Sequence, residues 1–176
     1  VRAPLTFELF PPVPEFVVTS EDVVDGERLS DQQVANIMGY NGQNLSPQLS
    51  WSGYPATTKS FAITIHDPDA PTGSGFWHWL IFDIPASVSS IGPGAGSSDG
   101  SHLVAGAVQV RNDTGQLGYI GAAPPAGDPP HRYVHTVHAV DVETLGLSSD
   151  ATPAFVGFNL RFHAIARAQL VPIFGS

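Results

Sequence analysis

The feature that most limits the folds open to this chain is a stiff polar loop caught between two strand-forming runs. Phe61-Ala62-Ile63-Thr64-Ile65 and Leu80-Ile81-Phe82-Asp83-Ile84 are short and rich in β-branched and aromatic residues, which suits a pleated, half-buried surface. Between them, Asp67-Pro68-Asp69-Ala70-Pro71-Thr72-Gly73-Ser74-Gly75-Phe76-Trp77-His78-Trp79 gathers two carboxylates, an imidazole and three large aromatics. Pro68 and Pro71 fix their own φ and push the residue before each into the extended region, so the carboxylates of Asp67 and Asp69 are held rather than mobile. This reads as a pocket wall. A second loop, Tyr119 to Tyr133, is stiffened in the same way by Pro124, Pro125, Pro129 and Pro130 and delivers His131 at the mouth of a strand.

The remaining pattern is that of a mainly β chain. Phe16 to Ser20 reads as a short strand followed by a turn at Asp25-Gly26, Gln33 to Met38 as one helical turn, and Val104 to Val110 as a further strand. From Arg132 to Val142 a period of two puts His131, Tyr133 and His135 on one face and Arg132, Val134, Thr136 and His138 on the other. Thr152-Pro153 supplies an N-cap and a proline at the first helical position, and Phe155, Phe158, Phe162 and Ile165 follow at helical spacing. The expected helix runs over about 153 to 169, its phenylalanine stripe packed on the sheet. Residues 1–14, rich in proline, are expected to form an extended N-terminal arm, and 15–176 a single domain.

Composition removes several function classes. The chain has 176 residues and is 42% hydrophobic, enough for one real core. Its 16 prolines and 18 glycines follow no period and read as turns. A formal charge of −9, with Lys59 the only lysine, leaves no basic stripe for a phosphate backbone, so nucleic acid is not an expected partner. The absence of cysteine excludes disulfides and thiol catalysis. No metal or cofactor is expected, because no His-rich tract or H-E-x-x-H pattern occurs. No apolar run is long enough to span a membrane, and prolines interrupt any leader-like segment, so the expected location is cytoplasmic.

Three segments together resemble the phosphatidylethanolamine-binding protein family, which includes the Raf kinase inhibitor protein and bacterial relatives. They are Asn44-Leu45-Ser46-Pro47-Gln48-Leu49-Ser50-Trp51, the Asp67-Pro68-Asp69-Ala70-Pro71 motif with its downstream His78, and Gly121-Ala122-Ala123-Pro124-Pro125-Ala126-Gly127 leading to His131-Arg132-Tyr133. The resemblance covers roughly residues 15 to 170, and ordered multi-residue motifs are a specific signal. It implies a β-sandwich with a C-terminal helix and a small anion pocket for phosphorylated or carboxylated head groups. Carried over residue by residue, the ligand-binding set is Asp67, Asp69, Pro71, His78, Gly121, Pro124, His131 and Tyr133, with Arg132 and Trp51 as structural support. A carboxylate is expected to fix the His78 tautomer and keep that ring protonated. The resemblance also implies a binding protein rather than an enzyme, one that modulates a kinase or protease. Phe76 where animal members commonly carry Trp, and Ala122-Ala123 in place of a Gly/Ser-containing stretch, imply a tighter pocket rim.

Blander and rival readings stand beside these. Asp beside Pro commonly bonds to nearby backbone N–H groups, so Asp67 and Asp69 also read as turn residues. A hydrolase using Asp67, Asp69 and His78 as acid and base is the alternative function, and Ser74, His78 and Asp67 are conceivable as a triad, although no G-x-S-x-G elbow is present. A homodimer is expected from bacterial relatives and from the apolar segment Leu170-Val171-Pro172-Ile173-Phe174, too greasy for an exposed tail.

Overall fold

In the strand Ser60–Asp67, odd-numbered side chains face one side of a sheet and even-numbered ones the other, and both sides are buried. Covers are therefore needed on two faces. In the computed structural model, which describes residues 2–175, the strands are β1 (Val17–Thr19), β2 (Leu49–Ser52), β3 (Ser60–Asp67), β4 (Phe76–Pro85), β5 (Ser90–Ile91), β6 (Val108–Gln109), β7 (His131–Arg132), β8 (Val134–Val140), β9 (Ala164–Leu170) and β10 (Ile173–Phe174), with one α-helix, α1 (Pro153–His163). β3 is the middle of a five-stranded antiparallel sheet ordered β6-β4-β3-β8-β9. A three-stranded sheet, β1-β2-β5, covers one face, and β10 pairs with β7. The main core fills the sandwich, where Val18, Leu49 and Trp51 meet Phe61, Ile63, Ile65, Trp79 and Ile81. Trp51 packs edge-on against Phe61 at 5.3 Å. The mainly β fold with a single C-terminal helix agrees with the sequence reading.

The second face has two covers. Val156 and Leu160 of α1 sit over Ala62, Leu80, Phe82 and Val140. The other end of this face is polar, with Thr64, His66, His138 and Arg167, and the N-terminal segment lies over it. The Phe7 ring meets His138 edge-on at 4.8 Å, and the Thr6 hydroxyl pairs with His66 Nδ1 at 2.7 Å. Arg167 is buried, its guanidinium 5.0 Å from the Phe7 ring and 5.4 Å from the Phe10 ring, and its Nε–H donates to His138 Nδ1 at 3.3 Å. Residues 2–14 thus do not form an extended arm, and position 1 of that expectation lies outside the described residues. The backbone turns through Phe7 at φ 70°, an unfavourable value for a bulky residue that the two seated rings offset.

Five further expectations need correction. The helix stops at His163, and 164–170 is β9, an edge strand in register with β8 (Ala166 against Ala139, Ala168 against Val137). Alanine favours helix locally, but seven residues of ladder outweigh that preference. The buried face of α1 is Val156, Gly157 and Leu160, so the phenylalanine stripe faces outward, with Phe155, Phe158 and Phe162 at 49%, 59% and 63% exposure and packed on one another. The helical turn near 33–38 is a 3-10 turn at Asp31–Gln33, after which Ala35 N–H donates to the Ala122 carbonyl (3.0 Å) and Ala122 N–H to that of Gln33 (3.1 Å). The strand at 104–110 shortens to Val108–Gln109. The greasy C-terminal segment is covered within the chain, Phe174 lying buried against Tyr40, so it gives no reason for a second subunit. Among the described residues no helix is long and apolar enough to cross a membrane.

The inverted helix face sets a test. Leu160→Ala should lower unfolding stability by about 2–5 kcal/mol, while Phe158→Ser should change it by no more than about 0.5 kcal/mol. Urea unfolding midpoints of the two variants against the parent chain read this directly, and comparable losses would contradict the assignment of faces.

Candidate functional site

β3 ends at Asp67, and the chain turns at once through Pro68. The turn is closed by Asp67 itself, whose Oδ1 accepts from the Asp69 N–H at 2.8 Å, the local bond Asp offers beside proline. Its Oδ2 accepts from His131 Nδ1 at 2.7 Å, and His131 Nε2 faces Asp128 Oδ2 at 3.1 Å. One short hydrogen-bond chain therefore joins the two stiff loops. Burial pushes the Asp67 carboxyl above the usual range, with the His131 bond acting in the other direction.

The neighbouring carboxylate does a different job. Asp69 turns away from the cavity and receives Arg132 in a fork, Nε to Oδ2 at 2.8 Å and Nη2 to Oδ1 at 2.7 Å, with the Arg132 backbone N–H adding a third bond at 3.0 Å. Burial works against its charge, yet the Arg132 bonds and charge prevail and hold its pKa below the usual carboxylate range. Asp69, expected among the ligand-binding residues, is thus not a wall of the pocket. The turn at Pro68 breaks the strand period that would have put it on the face of Asp67.

The cavity between the loops holds about 210 Å³. Asp67, Pro71, His78, Gly121, Pro124, His131 and Tyr133 all line it. Trp51 lies instead in the sandwich core. Gly121 sits where no side chain fits, since a Cβ there would lie 2.5 Å from both Ala35 N and the Gln33 carbonyl oxygen. That close approach, with Gly121 N–H donating to Asn44 Oδ1 at 2.7 Å, fixes the path of the second loop. Tyr40 adds a strut by donating its hydroxyl to the Pro124 carbonyl at 2.8 Å.

His78 is not held as the sequence suggested. Ile120 N–H donates to the His78 carbonyl at 3.0 Å, and the Ile120 carbonyl accepts from His78 Nδ1 at 2.8 Å. A carbonyl only accepts, so Nδ1 carries the hydrogen and Nε2 presents a lone pair. The carboxylate expected to keep this ring protonated is engaged with His131 instead. Burial pushes His78 down to about 4, against the opposing effect of the Ile120 bond, so the ring is neutral at pH 7. Tyr133 stands beside it, ring centroids 5.2 Å apart, 2% exposed, its hydroxyl buried without a hydrogen-bond partner among the described residues. Burial foremost, with the Asp67 charge adding to it, drives the phenol pKa upward and keeps it a donor.

Several residues in and around the cavity have no counterpart in the sequence reading. Ile37 and Met38 form an apolar wall of the cavity; two large hydrophobics in a polar loop beside Gly39 were the available signal. Asp128 carries no local pattern that links it to His131. His66 escaped notice inside a strand run, and it lies outside the cavity, its Nε2 at 3.1 Å from the Ser74 carbonyl. Ser74, His78 and Asp67 form no hydrogen-bonded relay, since each ring nitrogen and carboxylate oxygen of the set with a protein partner is bonded elsewhere.

Comparison with known proteins assigns this sandwich, with its two loops joined through Asp67 and His131, to a family. The model of the phosphatidylethanolamine-binding protein family matches residues 19–175, and the chain belongs to that family. UPF0098 protein YbhB of Escherichia coli (strain K12) is 48% identical over 158 residues, 88% of this chain and 97% of YbhB. The crystal structure of E. coli YbcL, described as a new member of the mammalian family, matches with a TM-score of 0.90 at 47% identity, covering 92% of this chain and 99% of that one. A UPF0098 protein of Methanothermobacter thermautotrophicus is 40% identical over 135 residues, 76% of this chain and 85% of its own.

The buried rings make stability depend on pH. His78 and His135 are both depressed from 6.5 to about 4, burial being the main cause in each. Between those values the unfolded chain takes up protons that the folded chain does not, so this stability is full above pH 6.5 and declines toward pH 4, by about 1.4 kcal/mol per pH unit for each ring. Urea unfolding at pH 7, 6, 5 and 4.5 should show the decline. His135→Phe should remove one ring's share of the slope, and an unchanged slope would count against burial as its cause.

Proposed function

We propose that this protein is a non-enzymatic binding module that takes a small phosphorylated or carboxylated head group into the cavity between the Asp67–Phe76 and Ile120–Tyr133 loops. The observation that carries the reading is Tyr133, which lines the cavity and whose buried hydroxyl has no hydrogen-bond partner among the described residues. Leaving such a group unpaired costs about 1–3 kcal/mol, a deficit that a ligand oxygen removes. Size supports it too, because about 210 Å³ accommodates a head group and little more. The charge of −9 gives an anion no long-range attraction, so recognition rests on short-range contacts and modest affinity is expected. The neutral His78 held by a carbonyl, rather than by a carboxylate within a relay, supports binding over turnover.

Calorimetric titration with phosphate, O-phosphoethanolamine and acetate tests the reading. His78→Ala should weaken binding about fivefold, the equivalent of one hydrogen bond of about 1 kcal/mol. His163→Ala, at the far end of α1 where the ring pairs with Asp141 at 2.9 Å, should leave it unchanged. No ester of a phosphate and carboxylate panel should be turned over, and hydrolysis lost in His78→Ala would replace this reading with the hydrolase one.

A further inference from the structure

This chain has no cysteine and one methionine, so Met38 carries its only sulfur atom. Methionine commonly fills gaps in a core, but here the side chain is 67% exposed and forms part of the cavity wall. Its backbone is unusual as well. Tyr40 N–H donates to the Ile37 carbonyl at 3.0 Å, closing a turn whose two central residues, Met38 at φ 54° and Gly39 at φ 85°, both lie in the left-handed region. That pair of positive φ values marks a type I′ turn, whose first central position favours Asn, Asp or Gly. A long side chain there is strained, and strain of this kind collects at functional sites. The turn is also held in place: Gly42 N–H donates to the Ala35 carbonyl at 3.0 Å, and the Tyr40 hydroxyl donates to the Pro124 carbonyl at 2.8 Å. Fixed backbone therefore presents the thioether at the cavity mouth, above a floor of His78 and Tyr133 that are 5% and 2% exposed.

We propose that Met38 is a site of oxidative modification that governs which ligands the cavity accepts. Hydrogen peroxide converts its thioether to the sulfoxide, and the sulfoxide excludes ligands whose organic group reaches the mouth. The inference rests on the binding reading above and adds regulation of that site to it. In the step, a sulfur lone pair takes one peroxide oxygen, the O–O bond breaks and an S–O bond forms. The other oxygen leaves as water after a proton shift, so sulfur loses the two electrons that the peroxide gains. Methionine sulfoxide reductases reverse the change.

The consequence follows from the rest of the wall. Ile37, Pro71, Phe76 and Pro124 make much of it apolar. The hydroxyls near the mouth are committed, that of Thr72 to the Gly75 carbonyl, that of Thr114 to Asn112 Oδ1 and that of Tyr40 to the Pro124 carbonyl. A thioether in such a wall meets an alkyl or aryl group without loss. A sulfoxide oxygen covered by the same group gives up its water and finds no free hydroxyl in return, and burying an unpaired polar group is unfavourable. A ligand that stays on the floor, such as inorganic phosphate, leaves that oxygen in water and is little affected.

The test compares the whole chain before and after treatment with hydrogen peroxide at neutral pH. Intact mass and peptide mapping should show one added oxygen, on Met38. Calorimetry should show phenyl phosphate binding about tenfold more weakly to the oxidised chain and inorganic phosphate changed by less than about twofold. Treatment with a methionine sulfoxide reductase should restore phenyl phosphate binding. Met38→Leu should take up no oxygen and bind each probe equally with and without peroxide, whereas Met38→Gln should weaken phenyl phosphate with no oxidant added. Phenyl phosphate binding that survives oxidation of Met38 unchanged, an equal loss for both probes, or no oxygen on Met38 overturns the inference and leaves the head-group pocket standing. If the untreated chain binds neither phosphate nor phenyl phosphate, the binding reading falls and this one with it.

Discussion

Burying the Asp67 carboxylate is the constraint on which the site depends. A carboxylate taken out of water needs hydrogen-bond donors in return, and here the donors come from two places: the N–H two residues along its own loop and the His131 ring from the second loop. The first bond shapes the turn and the second fixes where the other loop sits. Asp69 and Arg132 repeat the link on the outer side, with a planar fork that resists shear. Two loops joined twice leave a cavity whose dimensions do not depend on a ligand to define them.

Among the described residues no lysine or arginine lines the cavity, in a chain that is strongly acidic. Arg132 is turned outward, held by Asp69 and by the Ala3 carbonyl. His78, the ring that family resemblance would make a charged anchor, is held neutral by burial and by a backbone carbonyl. In such a low-dielectric space an unpaired polar group is expensive.

Which of these features could be read from the sequence follows from how local their causes are. Thr152-Pro153 announces the start of α1 because capping is decided within four residues, and the Thr152 hydroxyl does accept from Phe155 N–H at 3.2 Å. The end of the helix is decided by β8, far away in the chain, and Ala164 to Leu170 gives no local sign of it. The phenylalanine stripe misled because spacing shows that a face exists without saying that it is buried. At the site, the proline-stiffened loops were legible, as was the convergence of Asp67, His78, His131 and Tyr133 through family motifs. Which carboxylate meets which ring was not: Asp67 is bonded 64 residues away to His131, and Asp69 lies across a turn that reverses its side.

The capping of Arg167 by Phe7 and Phe10 bears on how this protein responds to ionic strength. A buried guanidinium commonly rests on a carboxylate, and exposed ion pairs lose strength as salt screens them. Here the cation rests on two phenyl faces and the lone pair of His138, contacts enclosed within the fold and reached little by mobile ions. Added salt therefore eases the mutual repulsion of the acidic surface while leaving the seat of the N-terminal segment intact, and docking of that segment persists where a surface ion pair of the same sequence separation would dissolve.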